Sequence, residues 1–549
     1  MAFELPNMIE RPSSPTLGEL AEDLQAKIDL YWTSKELSPE SHTLAAVSEP
    51  AQHTSRTLLD PIAAVEISPA YPDYMVVGTY ALLKAGEQGV SVGQVRTGSI
   101  SVVPVAVGFK PVYPGAVAPF LDEKCLNAAV LDIHFHPSDN TFLGVAMSNA
   151  KVTFFRLMKH ADVLARRLEM RLILLGSVKV AEPNEHGETP LITSFCWLPG
   201  SFYTRKAGAY DYHTVSFAAT VSNGDVKIVR AEVAGVGIDL DPRVTTAKRE
   251  IKSVLAESVD VGKHSEEAWT VTTTTISSIT SSPADVDKLL ILSGGDDSAL
   301  IATSAYLSPI AAIDLPYVRQ PASSKPYLQE QSTMLPPDMP PNPPPLFRCE
   351  PFHLWTDRKT HTAGVVAILP LSQPPNSSTI PILTGSYDEH IRLFLLETAS
   401  PTLKRNLILE KNLGGGVWRL KLMHESSTTP VTPTTPTISP SLKTQYTALI
   451  LASCMHAGVR ILRLTHTSPQ DSSSDLDAQG WSIDILAKFT RGHESMNYGS
   501  DFRAEVDEHG KRTGEYTIVS TSFYDKAVCV WKFVDEEKAA TGKDGEKSS

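Results

Sequence analysis

The feature that most constrains this chain is a phrase that recurs seven times: a short apolar run ending in small residues, a turn carrying Asn, Asp, Gly or His, and a second apolar run of alternating pattern. The copies are "MVVGTYALL", "LGVAMSNAKVTFFRL", "AATVSNGDVKIVRAE", "LLILSGGDDSALIATSA", "LTGSYDEHIRLFLLE", "LASCMHAGVRILRL" and "VSTSFYDKAVCVWKF". Each reads as a β-hairpin, because period-two alternation flanks a turn rich in residues that bond their own backbone. Small residues before the turn let neighbouring backbones approach, and Asp or Asn side chains satisfy turn amides that no ladder partner reaches. The first copy is interrupted, and "TGSISVVPV" is its expected second strand. No long stretch sustains the 3.6-residue period of an amphipathic helix, so an all-β chain is expected.

A further strand candidate precedes most hairpins: "AVLDIHFHP", "ITSFCWLP", "AWTVTTTTIS", "HTAGVVAILP", "GGGVWRLKL" and "NYGSDFRAEV". His264, His361 and His493 stand just ahead of three of these. A His upstream, an Asp in the hairpin turn and an aromatic late in the next strand resemble the WD-repeat family, most closely in "GSYDEHIRLFLLE" and "SFYDKAVCVWKF". The resemblance implies a β-propeller, and seven copies imply seven blades. The hairpins recur every roughly 70 to 90 residues, beyond the usual WD period of about 40 to 45, so insertions must absorb the surplus. Closing the ring removes exposed sheet edges if an early segment supplies the last blade's outer strand, for which "HTSRTLLD" is the candidate.

Composition places the insertions. Proline-rich "PYLQEQSTMLPPDMPPNPPPLFR" and the Ser/Thr/Pro tracts "HESSTTPVTPTTPTISPSLKTQ" and "THTSPQDSSSDLDAQG" hold too little apolar surface to join a core. The expected organisation is a polar extension over 1–54, a propeller over 55–534 with insertions near 313–350, 424–444 and 466–480, and a charged tail over 535–549. The net charge of −13 excludes a protein that grips nucleic acid chiefly through its phosphates, and suits a cationic partner. Five cysteines without a CxxC pair offer neither a disulfide framework nor a zinc site, which points to a reducing compartment. The start carries no basic segment followed by an apolar core, and no run reaches the roughly 18 apolar residues of a membrane span. A cytoplasmic protein is expected.

Read in order, "GTYAL", "SGGDDSAL", "HTAGVVAI" leading into "GSYDEHIRLF", "GGGVWRLKL", "LASCMHAGVRIL", "HESMNYGSDF" and "STSFYDKAVCVW" resemble the diphthine methyl ester hydrolase family, also called diphthine methyltransferase, the WD-repeat proteins of diphthamide biosynthesis. The likeness runs from about Asp60 to Phe533 outside the insertions and is closest from Ser293 onward. The chain departs from the pattern where "KAGEQGVSVGQVR" splits the first blade and where Phe394 and Leu395 replace a WD dipeptide. The resemblance implies hydrolysis of one methyl ester on a modified histidine of translation elongation factor 2, giving diphthine, with no cofactor. The alternative is a non-catalytic adaptor that recruits partners through its rim, since one fold hosts both uses.

The implied substrate side chain carries a trimethylated ammonium beside the ester, a soft cation that binds over aromatic faces and near carboxylates. Tyr387, Trp418, Tyr498 and Tyr524 are the candidate rings, with Asp388, Glu389 and Glu494 close in sequence; packing between blades is the competing role for each ring. Ester hydrolysis needs a nucleophile or activated water, a base, and donors for the oxyanion. His390, His456 and His493 are the candidate bases, although His493, like His361, also fits the WD position that supports the hairpin Asp. Arg419 and the amides of Gly414 to Gly416 are candidate oxyanion donors, or else a tight turn and a surface Arg. Ser386, Ser495, Ser522 and Cys454 are possible nucleophiles that packing alone also explains. "GVSVG", Gly89 to Gly93, matches the esterase pattern G-x-S-x-G, but a glycine-rich loop without a following helix lacks the elbow that gives the motif its meaning. No metal is expected, because the His residues are too scattered for ligand spacing. With no heptad pattern to form a dimer seam, a monomer is expected.

Overall fold

The computed structural model describes residues 49–50, 53–83, 95–105, 122–162, 167–199, 203–207, 210–234, 255–276, 288–309, 347–375, 377–428, 445–467 and 480–536. They form seven antiparallel sheets, each a blade of four strands in meander order, with one extra strand in blades 1 and 3. The innermost strands of blades 1 to 7 are Ile62–Ile67, Val130–His136, Ile192–Trp197, Ala268–Ile276, Val365–Pro370, Arg419–Thr428 and Ser500–Val506. Each packs against the next, and the seventh packs against the first, so the ring is closed. This is the seven-bladed propeller that the recurrent hairpins imply.

Closure uses the early segment anticipated from the sequence: His53–Thr57 pairs antiparallel with Ala527–Val534 as the outer strand of blade 7. That strand begins inside the stretch 1–54 expected to precede the propeller. Ordered strands likewise run into the edges of the expected insertions: Phe347–Asp357 is the outer strand of blade 4, Arg419–Thr428 the inner strand of blade 6, and Val459–Thr467 its third strand. The remainder of those insertions, the charged tail after Glu536 and the Gly89–Gly93 motif lie outside the described residues.

The small residues before each turn act as anticipated. A Cβ on Gly294 would stand 2.5 Å from the Val365 carbonyl of the next blade, and one on Gly385 would stand 2.5 Å from Val417 Cγ1. Neighbouring blades therefore approach closer than a methyl group permits. Between blades 2 and 3, Phe142, Phe154, Phe195 and Phe217 are fully buried together, each contributing about 2 to 3 kcal/mol of burial free energy.

Beneath three hairpins sits a hydrogen-bonded support. His264 meets Asp297 at 2.9 Å through Nδ1 and Ser293 Oγ at 2.9 Å through Nε2. His361 Nε2 lies 2.9 Å from Thr384 Oγ1, and His493 Nε2 lies 3.0 Å from Ser520 Oγ, which also accepts the Trp531 indole N–H at 3.2 Å. The Ser293–His264–Asp297 arrangement has the connectivity of a hydrolase triad, yet Ser293 and His264 are both buried. It satisfies polar groups inside a blade and offers no seat for a substrate.

Candidate functional site

In a four-stranded meander the start of the first strand and the turn between the second and third lie at the same end. Ala268 pairs with Gly295 and Arg419 with Ser453, which fixes that end as one face of the disc. On this face seven aromatic rings form a continuous arc. Trp418, just before the inner strand of blade 6, is its hub: ring centroids lie 5.5 Å from Trp269 of blade 4, 5.9 Å from Tyr387 of blade 5 and 5.0 Å from Tyr498 of blade 7. Tyr498 continues at 5.3 Å to Phe523, which also touches Tyr524 at 5.1 Å and Tyr80 of blade 1 at 6.3 Å. The structure thus unites Tyr387, Trp418 and Tyr498, while Tyr524 stands at the outer end of the arc, 52% exposed.

Asp296 closes the arc on the side of blade 4. It and Tyr387 hold the same turn position in successive blades, each two residues before a positive-φ residue, Ser298 at 56° and Glu389 at 68°. Gly364 is wedged between them, since an added Cβ would meet Asp296 Oδ1 at 2.9 Å and Tyr387 Cδ2 at 3.0 Å. Burial raises the Asp296 carboxyl to about 6; the Trp269 indole opposes that rise, and Glu267, Glu266 and Asp297 reinforce it. Among the described residues the buried Trp269 Nε1 closes no hydrogen bond of ordinary length, and its N–H acts on the Asp296 carboxyl as a donor. Tyr387 is held well above the usual phenol range by burial first, then by Asp296 and Tyr498, with Arg419 opposing.

Below the arc, the inner strands carry a network of charges across the axis. Arg419 stacks 5.6 Å from the Trp418 ring and reaches Asp132 of blade 2 at 3.4 Å. Asp132 accepts from Ser194 Oγ at 2.7 Å and meets His134 Nε2 at 3.3 Å, while His134 Nδ1 lies 3.2 Å from Glu66 of blade 1. Lys421 pairs with Asp501 at 3.0 Å, and Asp501 also accepts the Ile67 N–H at 2.6 Å. Burial alone raises Asp132 and lowers His134, but the partners win: Arg419 and His134 hold Asp132 well below the usual carboxylate range, and Asp132 with Glu66 lifts His134 to about 9.

The remaining sequence candidates stand away from the arc's centre or in supporting roles. Asp388 accepts from the Thr362 N–H at 3.0 Å and the His390 N–H at 3.1 Å and pairs with Arg392 at 2.8 Å, so it holds its own hairpin together. His390 turns back on that hairpin, with Nδ1 2.6 Å from the Asp388 carbonyl oxygen. In blade 6, Ser453 pairs with Val459 as Gly385 pairs with Ile391, so His456 occupies the register of Asp388; its Nε2 lies 3.9 Å from Glu389 Oε1. His493 is in the blade 7 support, and burial lowers its pKa to about 4. Glu494 is exposed, its backbone N–H donating to Asp525 at 3.1 Å. Of the glycine amides, that of Gly414 donates to Asn412 Oδ1 at 2.7 Å, and Gly415 and Gly416 pack under the Cys454–Ala457 turn, where a Cβ would clash with the Cys454 carbonyl or Met455 Sδ.

None of the small nucleophile candidates is paired with a histidine by a described hydrogen bond. Ser386 donates to the Ala363 carbonyl, Ser522 accepts the Ser495 N–H, Ser495 accepts the Tyr524 N–H, and burial pushes the Cys454 thiol up to about 12. Sequence reasoning missed Trp269, Asp296 and the axial network. Two signals were available. "SGGDDSAL" carries two Asp residues where the hairpin needs one, and the inner strands repeat polar residues at i and i+2, as in Asp132/His134 and Arg419/Lys421.

No protein-family model matches the chain. Over 475 residues it is 26% identical to diphthine methyltransferase of Schizosaccharomyces pombe, covering 86% of this chain and 94% of that protein. A diphthine methyltransferase homolog of Dictyostelium discoideum is 27% identical over 150 residues, 27% of this chain and 31% of that one. Chaetomium thermophilum Sqt1, solved bound to the N-terminus of ribosomal protein L10, matches at 10% identity and a TM-score of 0.39 over 89% of this chain and 90% of that one. The propeller itself is established by the seven sheets. Along most of its length, then, this chain is similar to a protein of the diphthine methyltransferase name, the family that its hairpin phrases resemble.

Proposed function

We propose that the chain hydrolyses the methyl ester of methylated diphthine on translation elongation factor 2, releasing methanol and leaving diphthine. One observation carries this reading: Tyr387, Trp418 and Tyr498, joined by Trp269, converge beside the Asp296 carboxyl at one end of the axial channel. Ring faces and a nearby carboxylate are the chemistry that receives a trimethylammonium group. Seating that group brings the neighbouring ester to the top of the channel, beside Arg419. The guanidinium is fixed by Trp418 on one side and Asp132 on the other, so it is positioned in advance to donate to the oxyanion that forms when the carbonyl is attacked. The acidic chain favours encounter with a cationic segment of a larger protein. The cytosol, where free cysteines persist, is the setting proposed for the reaction.

The test is direct. Purified chain is mixed with elongation factor 2 bearing the methylated intermediate, and methanol is measured against time. Release of many equivalents per chain supports the esterase. Saturable binding at one equivalent without methanol overturns it in favour of an adaptor.

A further inference from the structure

Resting on the ester-hydrolysis reading, we infer that Asp296 is the general base of the reaction, taking a proton from a water molecule that the Trp269 indole N–H helps to seat.

A buried polar atom without a partner costs about 1 to 3 kcal/mol, so an orphan donor beside a carboxylate marks a place where something else completes the bonding. Among the described residues Trp269 Nε1 has no partner at ordinary hydrogen-bond distance, and it acts on the Asp296 carboxyl as a hydrogen-bond donor that holds down its rise. The two neighbouring hairpin carboxylates of blades 4 and 5 are occupied: Asp297 by His264, Ser265 and Arg358, and Asp388 by Thr362, His390 and Arg392. Asp296 has none of these duties, although it directly precedes Asp297. It faces the Tyr387 side of the aromatic arc across Gly364. Its raised carboxyl, titrating near 6, suits a proton acceptor at neutral pH better than an ordinary Asp does.

The step balances without a cofactor. The water oxygen bonds to the ester carbonyl carbon as its proton passes to Asp296, and the developing oxyanion lies by Arg419. Collapse of the tetrahedral intermediate breaks the bond to the methoxy oxygen, which takes the proton back from Asp296 and leaves as methanol. The product acid gives its own proton to solvent. A bound quaternary ammonium near the carboxylate lowers the Asp296 pKa, so the acid limb of kcat should lie below that of kcat/KM.

Asp296→Asn keeps the shape and removes the base. With methylated elongation factor 2 as substrate, methanol release at saturation should fall about 100-fold or more, while substrate Kd, which loses one counter-charge, weakens by no more than about tenfold and thermal unfolding is unchanged. The acid limb of kcat/KM near 6 in the unaltered chain should be absent from the residual activity. Trp269→Phe, which keeps a ring and removes the N–H, should lower kcat about tenfold with little change in KM. An Asp296→Asn variant that retains both the rate and the acid limb overturns the assignment while the esterase stands. Loss of substrate binding in step with turnover also overturns it, by making Asp296 only the counter-charge of the ammonium and not the base. An unaltered chain that releases no methanol removes the esterase reading and this one together.

Discussion

The axial channel and the mouth above it draw on the same inner strands and adjoining turns, yet they treat charge in opposite ways. In the channel, Asp132 answers Arg419 and His134, Glu66 answers His134, and Asp501 answers Lys421. At the mouth, Asp296 is raised by burial and is opposed by the Trp269 indole N–H, which closes no hydrogen bond of ordinary length among the described residues. Paired charges taken out of water stabilise geometry, whereas an unpaired one is held ready at a cost met by the rest of the fold. The channel is therefore read as the frame and the mouth as the working surface. Asp132→Ala tests that division hardest. It leaves Arg419 and His134 without their shared partner in a buried site, and should destabilise the fold by about 3 to 5 kcal/mol, measured by denaturant midpoint. A variant as stable as the original would show that the network frames nothing.

Trp418→Leu attacks the mouth instead. Leucine keeps apolar bulk and removes the π face shared by three ring contacts. Substrate affinity should weaken by about 2 kcal/mol, or about 30-fold, with the overall stability falling less than in Asp132→Ala. Equal loss of stability in the two variants would erase the distinction between frame and surface. The channel also has a pH signature. His134 titrates near 9 when folded against 6.5 as the ordinary value, so its protonation favours folding in full below 6.5. That contribution declines as pH rises and is gone above about 9. Unfolding midpoints should drop across this window, and His134→Gln should flatten the drop. A midpoint that rises with pH would contradict the pairing.

The fold was legible because its determinants are local. Small residues at Gly294 and Gly385, turn carboxylates at Asp297 and Asp388, and alternating strands all announce themselves within a few positions. The closing strand His53–Thr57 was legible for a different reason, since a ring must hide its last edge. The aromatic hub could be nominated through the family resemblance, because Tyr387, Trp418 and Tyr498 stand in its phrases. What stayed hidden is what only the ring creates. Arg419 and Asp132 are nearly three hundred positions apart and meet across the axis, and no local pattern says which blades face each other. Asp296 was masked by its neighbour, because one hairpin Asp accounted for the motif and drew attention from the second. Of the histidines, His493 is tied to Ser520 inside the blade, in the supporting position that its place ahead of the blade 7 strand also suggested.

His390 and His493 give the gentlest comparison. His493→Ala removes a buried bond to the Ser520 oxygen that also receives the Trp531 indole, and should cost about 1 to 2 kcal/mol of stability while turnover at 25 °C, well below unfolding, holds. His390 is partly exposed, 31% for its side chain, and bonds only within its own turn in the described contacts. His390→Ala should therefore shift stability by less than about 0.5 kcal/mol and change methanol release by less than about twofold. A steep loss of turnover in His390→Ala with the fold intact would move the proton acceptor from blade 4 to blade 5. The mouth would then be organised around an imidazole, and the raised carboxyl of Asp296 would be left to hold the ammonium.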